Sequence, residues 1–198
     1  MNLLRVLLLL QVAALSVLGQ RAPQTEPANS FNRPQALVRS LYTQVVVRHP
    51  LGVPEGENMK IFAPYLRKAL LHRMDLAIAC VDDWYRQNPE PHLKPELGWL
   101  ELGAFSGDNE RASPQSFQIE RTQSEKDGSF HVYVRLTRTD SEGRPSNWGV
   151  AVIVTKEKSQ FVVDDIIYLK DQDYDESRLS EALSAGCSGP RWVGFGKQ

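Results

Sequence analysis

Asn147–Leu169, NWGVAVIVTKEKSQFVVDDIIYL, is the stretch that decides the fold of this 198-residue chain. Trp148, Val150, Val152 and Val154 alternate with Gly149, Ala151, Ile153 and Thr155, the period of two that a pleated strand imposes. Lys156–Gln160 is a short polar break, and Phe161–Leu169 is a second β-rich run. Together they read as a β-hairpin buried on at least one face. Asp164 and Asp165 sit side by side in the second run, so pleating sends one toward apolar neighbours and the other toward solvent. Strict alternation places Asp165 with Phe161, Val163, Ile167 and Leu169; a bulge would put Asp164 there instead.

The same signals extend backward along the chain. In Phe130–Arg138, Phe130, Val132, Val134 and Leu136 alternate with His131, Tyr133, Arg135 and Thr137. Glu125-Lys126-Asp127-Gly128 ends in the favoured Asp-Gly turn pair, and Ser116–Gln123 alternates through Phe117 and Ile119. Phe105–Pro114 and Asp140–Ser146 read as polar loops, and Leu97–Leu102 as a short strand. Before Pro89 the period changes. Leu37, Leu41 and Val45 recur at helical spacing, Pro34 suits a first turn, and His49-Pro50 ends the helix because a residue before proline leaves the α region. Phe62, Leu66, Ala69, Leu70, Ala77, Val81 and Trp84 form a second apolar stripe, with Pro64 near a helix start or dividing a short helix from a longer one. Helices followed by a meander of strands predict an α+β fold, with N-terminal helices packed on one face of a curved antiparallel sheet.

Composition bounds the classes of function. Lysine and arginine total 23 against 24 aspartates and glutamates, a net charge of −1, and the basic residues are scattered rather than striped. No nucleic-acid partner is expected. Met1–Arg5 carry one positive charge, Val6–Leu18 are almost wholly apolar, and Val17 and Gly19 are the small residues of a cleavage site before Gln20. That order is a secretory signal. The apolar run is shorter than the ~20 residues of a spanning helix, so no membrane anchor is expected after cleavage. The expected organisation is a signal peptide over 1–19, a disordered leader over 20–34, one domain over 35–170 and a C-terminal tail over 171–198. Export to the periplasm or the extracellular space follows. In an oxidising compartment the chain's two cysteines, Cys80 and Cys187, point to a disulfide that lays Ser184–Trp192 against the C-terminal half of the long helix. The other reading leaves Cys80 a small core residue and Cys187 loose in the tail.

Two or three N-terminal helices, Gly-Ala-Phe-Ser-Gly-Asp at Gly103–Asp108, and a closing Val163-Asp164-Asp165-Ile166-Ile167-Tyr168 resemble a secreted bacterial family whose members have no assigned biochemical role. The resemblance covers Pro34–Leu169 and implies the nuclear-transport-factor-2-like fold, also called cystatin-like. In that fold a bent sheet wraps around helices as a cone with a pocket at its open end. Similar proteins include isomerases, dehydratases, epoxide hydrolases and noncatalytic ligand or partner modules, so the fold does not choose among them.

Pocket residues are therefore expected from the hairpin and its neighbour: Asp164, Asp165, Arg135 and Trp148. A carboxylate among apolar side chains is the setting of a general base, which makes Asp165 a catalytic candidate with His131 or Tyr133 as helper. The plainer reading has Asp165 accepting backbone N–H bonds or pairing with Arg135 or Arg138. His72, Asp75, Asp82 and Asp83 read as a solvated helix face. No nucleophile elbow, phosphate loop, metal-binding histidine pair or dinucleotide motif occurs, and no metal or other cofactor is expected. The expected function is an exported noncatalytic module that binds a protein partner or a small apolar ligand in the cone pocket. The alternative is a small hydrolase or isomerase with Asp165 as general base.

Overall fold

The computed structural model describes residues 33–97, 100, 103–107, 113–170 and 176–195. The expected signal peptide, and all but the last two residues of the expected leader, lie outside the described residues. Helix α1 spans Pro34–Arg48 and buries Leu37, Val38, Leu41, Tyr42 and Val45 along one stripe. It stops where expected: His49 turns left-handed at φ 50° before Pro50, and its N–H caps the Val45 carbonyl at 2.9 Å. Pro64 divides two helices, standing in a 3₁₀ turn (Ala63–Tyr65) between α2 (Gly56–Phe62) and α3 (Lys68–Gln87). The buried stripe of α3 runs Leu70, Met74, Ala77, Cys80, Asp83 and Trp84, while Ala69 faces out.

Strands β1 (Ser116–Ser124), β2 (Phe130–Thr139), β3 (Pro145–Glu157), β4 (Gln160–Tyr168) and β5 (Ser177–Arg178) form one open antiparallel meander in that order. One face carries Val132, Val134, Leu136, Val150, Val152, Val154, Val163 and Ile166 against α1 and α3. All are buried, so that face is filled core. A smaller cluster of Ala151, Ile153 and Ile167, flanked by Tyr133 and Leu169, lies on the other face. The architecture is α+β, with helices on one side of a five-stranded antiparallel sheet. Leu97–Leu102 is not the expected strand among its described residues. The Leu100 N–H turns back to the Leu97 carbonyl at 2.9 Å, a bend that extended backbone cannot make, and Gly103 makes an isolated bridge to Gly52.

The hairpin corrects one sequence expectation. Ile153 pairs with Asp165 and the next residue, Val154, pairs with Val163, so Asp164 is the extra residue of a β-bulge. The bulge breaks the alternation. Phe161 and Val163 join the main core, whereas Asp165, Ile167 and Leu169 lie on the opposite side. Outside the bulge the free edge of β4 is covered twice. The Arg67 N–H bonds the Val163 carbonyl at 2.8 Å, and β5 pairs at Ile167 and Tyr168.

Gly103–Gly107 is held by three aromatic side chains acting as donors. The Tyr168 hydroxyl donates to the Ala104 carbonyl (2.9 Å), the Tyr42 hydroxyl to Phe105 (2.7 Å) and the Trp148 indole N–H to Ser106 (2.9 Å). Three successive buried carbonyls are thereby satisfied without a partner strand. Gly107 closes the segment at φ +68°, where an added Cβ would stand 2.3 Å from the Tyr168 ring.

Residues 176–195, set apart as a tail by composition, pack on the same core. After β5, α4 (Leu179–Ser184) buries Leu179 and Leu183, and a small hairpin follows from β6 (Cys187–Ser188) and β7 (Arg191–Trp192). Cys80 and Cys187 are disulfide-bonded with Cα atoms 6.1 Å apart. Asp83 is the partner that the sequence placed on a solvated face. It is only 6% exposed and accepts the Trp192 N–H at 3.0 Å and the Gln87 amide at 2.7 Å. Those donors, the Trp192 N–H foremost, hold its carboxyl below the usual range, with Arg86 and Arg191 adding to the effect.

Candidate functional site

The bulge that removes Asp165 from the main core also places it in a row. By register His131 of β2 faces Ile153 of β3, which faces Asp165 of β4, all on the side away from the helix-packed core. Beside this row lies a groove of about 420 Å3. Its walls come from the N-cap and first turns of α3 (Arg67, Ala69, Leu70, Arg73), the β1–β2 turn and start of β2 (Asp127, Ser129, His131), Ile153 of β3, the bulge (Asp164, Asp165), and the start of the tail (Arg178, Ser180). Its volume suits a small ligand.

The carboxylates in the groove are already engaged. Asp165 is 8% exposed, and its Oδ1 accepts the N–H groups of Ile166 (2.9 Å) and Ser180 (3.1 Å) while Oδ2 accepts the Ser180 hydroxyl (2.6 Å). It therefore ties the start of α4 to the sheet, the plainer of the two roles read from sequence. Asp164 pairs with Arg67 at 2.8 Å, an interaction that raises the Arg67 pKa. Asp127 accepts the hydroxyl and N–H of Ser129 at 2.7 and 2.9 Å, which lowers its pKa, with the His131 charge adding to the effect. Two cations stand differently. Among the described residues neither the Arg73 nor the Arg178 guanidinium has a hydrogen-bond or ion-pair partner.

Three residues singled out from sequence meet here: Asp164, Asp165 and His131. Tyr133 and Arg135 share the His131 face but stand outside the groove lining. The Arg121 guanidinium lies 3.6 Å from the Tyr133 ring centre, and Arg135 pairs with Glu120. Trp148 packs against the main core on the opposite face, its indole N–H committed to Ser106. Arg67, Arg73, Arg178 and Ser180 were not legible as site residues. Arg67 and Arg73 belong to a helix read for its apolar stripe, and the other two to a tail read as peripheral.

No family model matches the chain, and no curated protein or solved structure matches it. Among the described residues no cluster of three metal-ligating side chains occurs, and no helix is long and apolar enough to cross a membrane.

Proposed function

We propose that this chain is an exported, noncatalytic module that holds a small ligand in the groove beside the β4 bulge. The observation that carries the reading is the groove itself: about 420 Å3, walled by five separate parts of the chain, with guanidinium donors in it that no group among the described residues uses. Export is supported by the secretory order of Met1–Gly19 and by the Cys80–Cys187 bond, a feature of oxidising compartments. The order of helices and antiparallel strands supports the nuclear-transport-factor-2-like fold. In this chain, however, the helix-facing side of the sheet is filled, so the binding surface proposed here is the groove where the row His131, Ile153 and Asp165 meets the start of α3. Its lining is polar, which favours a polar ligand over the apolar one that the sequence led us to expect.

A hydrolase or isomerase using Asp165 as base is the weaker reading, because both of its oxygens already accept hydrogen bonds within the fold. The test is a fragment screen on the full chain by NMR. Ligands should shift resonances centred on Ala69, Ser129, His131 and Ile153 and emerge chemically unchanged. Shifts centred elsewhere, or turnover abolished by Asp165→Asn in a folded protein, would reject the proposal.

A further inference from the structure

Formal charge in the groove cancels, with Arg67, Arg73 and Arg178 against Asp127, Asp164 and Asp165. Hydrogen bonding does not cancel. Each carboxylate has a partner inside the protein: Arg67 for Asp164, Ser129 for Asp127, Ser180 for Asp165. Arg73 and Arg178 have none among the described residues, although they come from α3 and β5, elements far apart in sequence. We infer that the groove is a site for a small organic dianion, a short dicarboxylate or a phosphomonoester, held between the Arg73 and Arg178 guanidiniums. The inference rests on the groove being the binding site proposed above.

Three features bring the two cations to one ligand. Arg73 stands four residues after Ala69, so both lie on the side of α3 that lines the groove. Arg178 pairs with Ile167, two residues from Asp165, and so points to the same side of the sheet as Asp165. In the same groove the Arg67–Asp164 pair neutralises the Asp164 charge, which would otherwise repel an anion. Guanidinium forks match carboxylate and phosphate oxygens in pairs, so two arginines with no partner among the described residues suit two anionic oxygen groups or one doubly charged group. The first turn of α3 contains no acidic residue to compete for that place.

Isothermal titration of the full, oxidised chain with succinate and with glycerol 3-phosphate tests the assignment. Glycerol serves as neutral control and putrescine as cationic control at matched ionic strength. At least one dianion should bind saturably, and added salt should weaken it. Arg73→Ala and Arg178→Gln should each weaken binding about tenfold, since a charge-assisted pair is lost, with thermal melts verifying that both variants fold. Arg178→Lys, which retains charge but not the fork, should recover part of the loss. The succinate and phosphate arms separate the two sources of the anion. The inference is overturned if neither dianion binds, or if the folded Arg73→Ala/Arg178→Gln double variant binds as tightly as the parent. In that event, groove-centred shifts produced by neutral fragments would leave the binding module standing without the anion, whereas no groove-centred shift by any fragment would remove both.

Discussion

Replacing Tyr168 with phenylalanine would delete a single hydroxyl and keep the ring that packs against Gly107. The lost group donates at 2.9 Å to the Ala104 carbonyl, which is buried and has no strand partner to replace it. No cavity forms, so the cost is that of a buried acceptor left without a donor, about 1–3 kcal/mol. With a urea dependence of ~2 kcal/mol per molar, the unfolding midpoint should fall by about 0.5–1.5 M. Tyr133→Phe is the control, because the Tyr133 ring contact to Arg121 survives the change, and it should cost less than about 0.5 kcal/mol. Tyr42 donates to the very next carbonyl, so Tyr42→Phe and Tyr168→Phe should couple by at least ~0.5 kcal/mol in a double-mutant cycle. A Tyr168→Phe midpoint equal to that of Tyr133→Phe, with unchanged circular dichroism, would refute the claim that side-chain donors fix Gly103–Gly107.

Burial lifts the Tyr42 and Tyr168 phenols above their usual pKa, helped for Tyr168 by the Asp165 charge. Their contribution should therefore be complete below about pH 10 and lost as pH rises beyond it, since the unfolded chain ionises first; the Tyr42→Phe/Tyr168→Phe protein should show a shallower alkaline decline. Asp83 carries the opposite sign. Its lowered pKa stabilises the docked tail above about pH 4 and should cease to do so as pH falls further, so tail proteolysis at constant protease activity should rise below that point in the parent and change less in Asp83→Asn. Substituting both Cys80 and Cys187 with alanine opens a loop with a sequence separation of 107 and should cost about 4–5 kcal/mol by chain entropy; urea midpoints differing by under ~0.5 M would reject that figure. Lys158 holds φ 57° in the β3–β4 turn, so Lys158→Gly should stabilise by about 0.5–1 kcal/mol, and a lower melting temperature would contradict the strain assigned there.

The four long strands, the proline-punctuated helices and the cysteine pair were legible because each rests on local chemistry: a period, a forbidden N–H, an even count. What escaped the sequence was set by partners distant along the chain. Nothing in FVVDDIIY tells that Val163 will accept the Arg67 N–H while Asp165 caps the start of α4, yet those two contacts flank the bulge that moves Asp165 off the Val163 face. Asp83 misled for the same reason, since its buried role depends on Trp192, 109 residues away. The candidate groove was half visible. Asp164, Asp165 and His131 were named from the hairpin and its neighbour, but Arg73, Arg178 and Ser180 reach it only through the docking of α3 and the tail.

The covalent bridge between α3 and β6 has a consequence for mechanical load. Every strand of the five-stranded sheet lies between Cys80 and Cys187 in sequence. A pull applied to the two ends of the chain would therefore pass from α3 straight across the sulfur bridge, and the sheet would hang from that line as a slack loop. In an optical trap the oxidised protein should lengthen only by the segments outside the bridge, whereas reduction would release the enclosed residues as one additional extension.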